Sequence, residues 1–115
     1  MQRGEIRLVD FEPARGSEAS KIRPAVIVSN DGANAAARHS SRGVVTVVPV
    51  TTNTATVYPF QILLRARRCG LPQDSKAQAE QVRSVAVQRV GRRIGVLPAD
   101  LLAGLEDALR LHLGL

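Results

Sequence analysis

The sequence predicts a small, mainly antiparallel β-domain that ends in one helix, and three observations carry that expectation. Short β-branched runs bounded by turn residues recur along the chain, helical apolar spacing begins only after Pro98, and strands do not alternate with helices as a βαβ fold requires. The 115 residues, 44% of them apolar, can fill one core, so residues 1–115 are read as a single domain, a barrel or a sheet with the helix packed on it.

Glu5 to Phe11 reads as the first strand, because Ile6, Leu8 and Phe11 roughly alternate with polar neighbours. Glu12 to Lys21 is polar and broken by Pro13 and Gly16, which marks an exposed loop, and loops of that length in a small domain are often functional. Ala25–Val28 and Val44–Val48 are β-branched runs expected as central strands buried on both faces. Between them Asp31 to Arg42 is rich in Ala without a clear apolar stripe, and reads as either a short helix or an irregular excursion. Tyr58–Leu64 is expected as the next strand, with Pro59 at its start where the missing N–H does least harm. Gly70-Leu71-Pro72 marks a turn, Lys76–Val87 reads as a further strand and Arg89–Val96 as the last. Pro98 then opens a helix whose Leu101, Leu102, Leu105, Ala108, Leu109, His112 and Leu113 share one face, and Gly114 ends it. That stripe is wide enough to leave apolar surface beyond what one side of a small sheet covers, which keeps self-association in view.

Charge narrows the partners. Lys21 and Lys76 are the only lysines among 16 cations, so arginine, the planar bidentate donor suited to phosphate, dominates the net charge of +6. Residues 65–93 carry Arg65, Arg67, Arg68, Lys76, Arg83, Arg89, Arg92 and Arg93 against Asp74 and Glu80, an excess equal to that of the whole chain. A solvated surface and a nucleic-acid patch both account for such a cluster. The single cysteine, Cys69, excludes an internal disulfide, and with His39 and His112 far apart the usual Cys/His zinc sites are excluded too. A reducing, cytoplasmic setting is expected, with no membrane association, since no apolar run reaches the roughly 20 residues of a bilayer span and the N-terminus lacks a signal-peptide core. Aromatic residues make up only 3%, which argues against a surface of several rings stacked on bases.

No phosphate-binding glycine loop, dinucleotide fingerprint, His-Glu-x-x-His or nucleophile elbow is present. The first positive signal is Gly16-Ser17-Glu18-x-x-Lys21-x-Arg23-Pro24, where Pro24 biases Arg23 toward extended backbone and so sets the direction of its guanidinium. A surface ion pair closing the loop is the plainer account of Glu18 and Arg23. The second is Pro49-Val50-Thr51-Thr52-Asn53-Thr54, whose hydroxyls and amide can bond phosphate oxygens or simply shape a turn. The third is Glu80-Gln81-Val82-Arg83-Ser84, where Gln81 and Arg83 would share one face of a strand and wall a ligand groove.

Arg3-Gly4-Glu5-Ile6, Val9-Asp10-Phe11-x-Pro13-x-x-Gly16-Ser17-Glu18, Lys21-x-Arg23-Pro24-Ala25-Val26-x-Val28, Val48-Pro49-Val50-Thr51, Tyr58-Pro59-Phe60 and Gln81-Val82-Arg83-Ser84 occur in this order along nearly the whole chain. Together they resemble the MazF/PemK family of toxin endoribonucleases. The resemblance implies a small SH3-like antiparallel β-barrel with a C-terminal helix and a homodimer. It also implies metal-independent, cofactor-free, sequence-specific cleavage of single-stranded RNA, and a cognate antitoxin whose flexible acidic tail blocks the groove. Carried over residue by residue, it makes Arg23 and Thr51 the catalytic residues, with Glu18 added at less weight as the candidate base. Attack by the RNA 2′-hydroxyl on the adjacent phosphorus would leave a 2′,3′-cyclic phosphate and a 5′-hydroxyl. For RNA binding the expected residues are Lys21, Thr52, Asn53, Arg65, Arg67 and Arg68, with Gln81, Arg83 and Ser84 shaping the groove floor.

Two other readings stay open on the sequence. CcdB-like toxins share the architecture and bind DNA gyrase through a C-terminal aromatic motif, whereas this chain has no Trp and ends His112-Leu113-Gly114-Leu115. A barrel that binds RNA without cutting it is the other.

Overall fold

The computed structural model describes residues 1–12 and 21–115. Its strands are β1 (Glu5–Asp10), β2 (Ile22–Ile27), β3 (Val44–Thr51), β4 (Gln61–Leu64), β5 (Ser75–Gln78), β6 (Arg83–Ala86) and β7 (Val90–Val96). Helices α1 (Asp31–Ser40), α2 (Ala66–Cys69) and α3 (Ala99–Leu113) connect or close them. Every pairing is antiparallel, in the order β4-β5-β3-β2-β1-β7, with β6 also on β3.

Among the described residues this path ends at β4 and β7 without pairing them, so the strands form an open ladder. The short α2 turn, which follows β4, comes against β7 instead: a Cβ on Gly95 would lie 2.1 Å from the Cys69 carbonyl oxygen, so only glycine fits that approach.

β3 is the axis of the fold, as its unbroken β-branched run predicts. Alternate residues of β2 and β3 feed two cores. Val26, Val48 and Val50 join Ile6, Leu64, Leu105 and Ala108 beneath α3, while Ala25, Ile27, Val45 and Val47 join Val9, Phe11, Ala37 and Val85. Both central strands are therefore buried on both faces, as expected.

Two elements differ from the sequence reading, and two settle what it left open. Lys76–Val87 is not one strand. The pairs Val50↔Ala77 and Thr51↔Lys76 give way to Val47↔Arg83, so three extra residues interrupt the edge, and Ala79–Gln81 forms a 3₁₀ turn there. Pro49 sits on β3 opposite that interruption, where a missing N–H costs the ladder nothing. The expected strand Tyr58–Leu64 begins only at Gln61, because Tyr58-Pro59-Phe60 is spent on a turn closed by Gln61 N–H to the Tyr58 carbonyl (2.9 Å). Asp31–Ser40 takes the first of its two expected forms, a short helix: Asn30 caps it by accepting from Ala33 N–H at 2.8 Å, and the buried Asn34 ties it to Ser29. In α3, Leu105 and Ala108 are buried but His112 and Leu113 are exposed, so the apolar stripe outruns the sheet by one turn, in line with the surplus its width implies. Gly114 ends it at φ 72°, as its position predicts. No described helix is long and apolar enough to cross a membrane.

Candidate functional site

The β2–β3 register, continued beyond its last pair, puts Arg23 and Thr51 on one row. β2 and β3 pair as Ala25↔Pro49, Val26↔Val48 and Ile27↔Val47, and the same register continued past Pro24 sets Arg23 opposite Thr51. Val28 N–H donates to the Thr46 carbonyl at 2.9 Å, so alternation makes Ala25/Pro49, and by extension Arg23/Thr51, a non-hydrogen-bonded position, where facing side chains approach most closely. Pro24 has no N–H to give Val50, and the ladder between β2 and β3 stops at Ala25. Both Arg23 and Thr51 are half-buried, at a point where the strands are no longer tied. No described carboxylate pairs with Arg23.

On β2's other edge Val9 lies opposite Arg23, and Phe11 N–H donates to the Lys21 carbonyl. Lys21 is exposed with φ 63°, and its N–H donates to the Glu12 carboxylate at 2.8 Å. Glu12 N–H in turn donates to Asp10, and the Arg89 guanidinium donates to the Asp10 and Glu12 carbonyls, so the mouth of the 12–21 connection is pinned from three sides. Glu18 lies outside the described residues.

Arg83, opposite Val47 on β6, points to the face of Arg23 and Thr51, its guanidinium 5.5 Å from the Phe11 ring centroid. Gln81 belongs to the 3₁₀ turn, so it does not alternate with Arg83 along a strand as expected. Ser84, opposite Thr46, faces the other side of β6 and is exposed; the structure does not bring it to Arg83's face. The turn also buries polar atoms. Gln61 donates to Glu80 at 2.7 Å, while Glu80 Oε1 and Gln78 Oε1 are buried without a described partner.

Thr52 and Asn53 are exposed at the end of β3. The Thr51 hydroxyl accepts from Asn53 N–H at 3.2 Å, and Asn53 Oδ1 accepts from Ala55 N–H at 3.3 Å. Lys76, which the sequence marked only as part of a charge cluster, lies opposite Thr51 on β5 and extends the Arg23/Thr51 row by one strand. Its ammonium donates to the Thr56 carbonyl at 2.6 Å and lies 5.8 Å from the Tyr58 ring centroid. Tyr58 stacks on Phe60 at 5.4 Å, and Phe60 meets His112 at 6.5 Å, so two of the three aromatic residues gather with a histidine at one place. Composition could not reveal that grouping.

The arginines of α2 are more committed than their charge implied. Arg65 pairs with Asp74 at 3.0 Å and Arg68 with Asp100 at 2.7 Å, while exposed Arg67 has no described ion pair. Ala66 N–H and Arg65 hold the Asp74 carboxyl below the usual carboxylate range, and Arg68 does the same to Asp100. Burial pushes the Cys69 thiol up, which makes it a packing residue. Among the described residues no three His, Cys, Asp or Glu side chains come together as a metal site would require.

Comparison with known proteins shows the family of this chain and relatives of the same fold. Residues 2–113 fit the family described as PemK-like, MazF-like toxins of type II toxin–antitoxin systems. Endoribonuclease MazF9 of Mycobacterium tuberculosis is 62% identical over 115 residues, covering 100% of this chain and 98% of the relative. The solved structure of MazF (Form-I) from Deinococcus radiodurans is 29% identical, with a TM-score of 0.80 over 100% of this chain and 97% of that one. A mycobacterial endoribonuclease solved in complex with its cognate antitoxin shares the fold, with a TM-score of 0.77 at 22% identity over 100% of this chain and 96% of that one. The mainly β architecture, the C-terminal helix and the full-length match agree: this chain belongs to the family of PemK-like, MazF-like toxins of type II toxin–antitoxin systems.

Proposed function

We propose that this toxin-family endoribonuclease cuts single-stranded RNA at selected sequences by directing the RNA's own 2′-hydroxyl onto the adjacent phosphorus, with no metal ion. The observation that supports this reading is the β2–β3 register, which ends at Ala25↔Pro49 and, continued, sets an arginine without a described carboxylate partner on the same row as a hydroxyl. The ribose supplies the nucleophile, so the protein must stabilise charge on the phosphorane and hold it in line. The Arg23 guanidinium donates to the non-bridging oxygens as negative charge builds, and the Thr51 hydroxyl donates to the same phosphate. Glu18 is the proposed base that takes the 2′-hydroxyl proton. The P–O5′ bond breaks as the O2′–P bond forms, and the departing O5′ takes a proton from solvent water, leaving a 2′,3′-cyclic phosphate and a 5′-hydroxyl.

RNA then runs past Lys21, Thr52 and Asn53, with Gln81 and Arg83 beneath it and the α2 arginines Arg65, Arg67 and Arg68 attracting its backbone. Ser84, on the opposite face of β6, is left out of that path. The partner is an antitoxin with an acidic segment that competes for the same cations, in keeping with the antitoxin complexes found among structural relatives. Leu111, Leu113 and Leu115 remain 58%, 53% and 86% exposed, and we assign that surface to a homodimer. The coiled ladder, bridged by α2 between β4 and β7, is read as an SH3-like barrel in a cytoplasmic protein.

Incubation of the purified protein with a long defined RNA in EDTA, followed by mapping of 5′ ends, tests the function. Cuts at a short consensus bearing 5′-hydroxyls are expected. Intact RNA would favour a binding-only or gyrase-directed toxin.

A further inference from the structure

The reaction proposed above gives Lys76 nothing to do, yet this residue is held as few lysines are. It is 7% exposed, lies opposite Thr51 and donates to the Thr56 carbonyl at 2.6 Å. Among the described residues no carboxylate is within ion-pair distance of it. Burying an ammonium is costly, and here the return is one carbonyl and the face of one ring.

Both partners belong to the segment between β3 and β4, residues 52–60, which has no helix or strand of its own. Its ends are fixed by neighbours in sequence: Thr51 accepts from Asn53 N–H, and Gln61 Oε1 accepts from Tyr58 N–H. The tie at Thr56 comes from a different strand, and it is the one made by Lys76. Tyr58, beside that ammonium, keeps 50% of its surface exposed while Phe60 supports its ring. The segment therefore leaves the catalytic row at Thr51 and is fastened back to the same row one strand further on.

We infer that Lys76 is the positioning residue that sets RNA sequence selectivity: by clamping residues 52–60 to the Thr51 row it fixes where their polar groups and the Tyr58 ring meet the bases beside the scissile phosphate. The inference rests on the nuclease reading. Direct phosphate binding by Lys76 is disfavoured, because its ammonium is covered and already committed to Thr56.

Lys76→Met keeps the buried stem and removes the ammonium, and Lys76→Gln restores a neutral donor. Each variant and the wild type are incubated in EDTA with a pool of randomised single-stranded RNA oligonucleotides, cut sites are sequenced, and amide exchange is followed over residues 53–58. For Lys76→Met the preference for the best site over its single-base variants is expected to fall roughly tenfold or more, by more than the rate at the best site falls, with faster exchange in 53–58. Lys76→Gln is expected to fall between the two, and it decides alone if Lys76→Met does not fold. An unchanged consensus and preference in a folded variant would overturn the inference while leaving the nuclease intact. An uncut pool with wild-type protein would overturn the nuclease reading and this inference with it.

Discussion

Pro24 does two jobs within one residue's reach of the proposed chemistry. It biases Arg23 toward extended backbone, and it withholds the N–H that would have tied β2 to Val50. Arg23 and Thr51 then face one another without a backbone bond beside them. On this account Arg23→Lys keeps a charge but loses the planar fork, and Thr51→Val keeps the shape but loses the hydroxyl. Each should lower the cleavage rate by roughly 10²-fold or more, with the melting temperature within a few degrees of wild type. Thermal melts alongside single-turnover cleavage check this; a folded Arg23→Lys protein with full turnover would remove Arg23 from the site. The resemblance proposes this pair, but a shared row for it is not legible in sequence, because that depends on a register between strands separated by the sixteen residues 28–43.

Among the elements, those with intrinsic signals were legible. The β-branched runs became β2 and β3, and the Pro98 to Gly114 periodicity became α3. What stayed hidden depended on a partner strand. The break in Lys76–Val87 is a three-residue mismatch with β3 that the segment's own composition does not betray, and Gln81 and Arg83 were consequently read as strand neighbours. Lys76 went unrecognised for the same reason. The short α2 also had no periodicity to find, since four residues are held by tertiary contacts: Asp74 accepts from Ala66 N–H at 2.9 Å and pairs with Arg65, and Arg68 reaches Asp100 on α3. The folded-state pKa of Asp74 is depressed, so its contribution to stability is fully present above the unfolded carboxylate value of about 4 and is lost as pH falls through the lower folded value. Asp74→Asn should therefore be less stable than wild type at neutral pH, and the gap should close on acidification below about pH 4. Urea unfolding across that range measures it, and a gap constant down to about pH 2 would refute the assignment.

At the scale of the whole molecule, the net charge of +6 is distributed by pairing as much as by sequence. Arg65 and Arg68 are held by Asp74 and Asp100, and Arg89 is spent on the Asp10 and Glu12 carbonyls, whereas Arg67 has no described carboxylate. Exposed pairs of this kind contribute little to stability and yield to a phosphate at some cost. Arg67→Ala should reduce the salt slope of RNA binding by about one, and Arg65→Ala and Arg68→Ala by less, in fluorescence-anisotropy titrations over a range of salt. Equal effects at all three positions would mean that the pairs do not persist in solution. The distinction matters because cations at the periphery set attraction, while the account assigns the chemistry to one arginine, one hydroxyl and the substrate's own ribose. The most direct test of that assignment is a single 2′-deoxy substitution at the nucleotide whose hydroxyl would attack, in an RNA carrying one mapped cleavage site. The account predicts that binding persists and cleavage at that bond stops, with a 2′,3′-cyclic phosphate on the all-ribose control. Continued cleavage of the deoxy-substituted bond would contradict it.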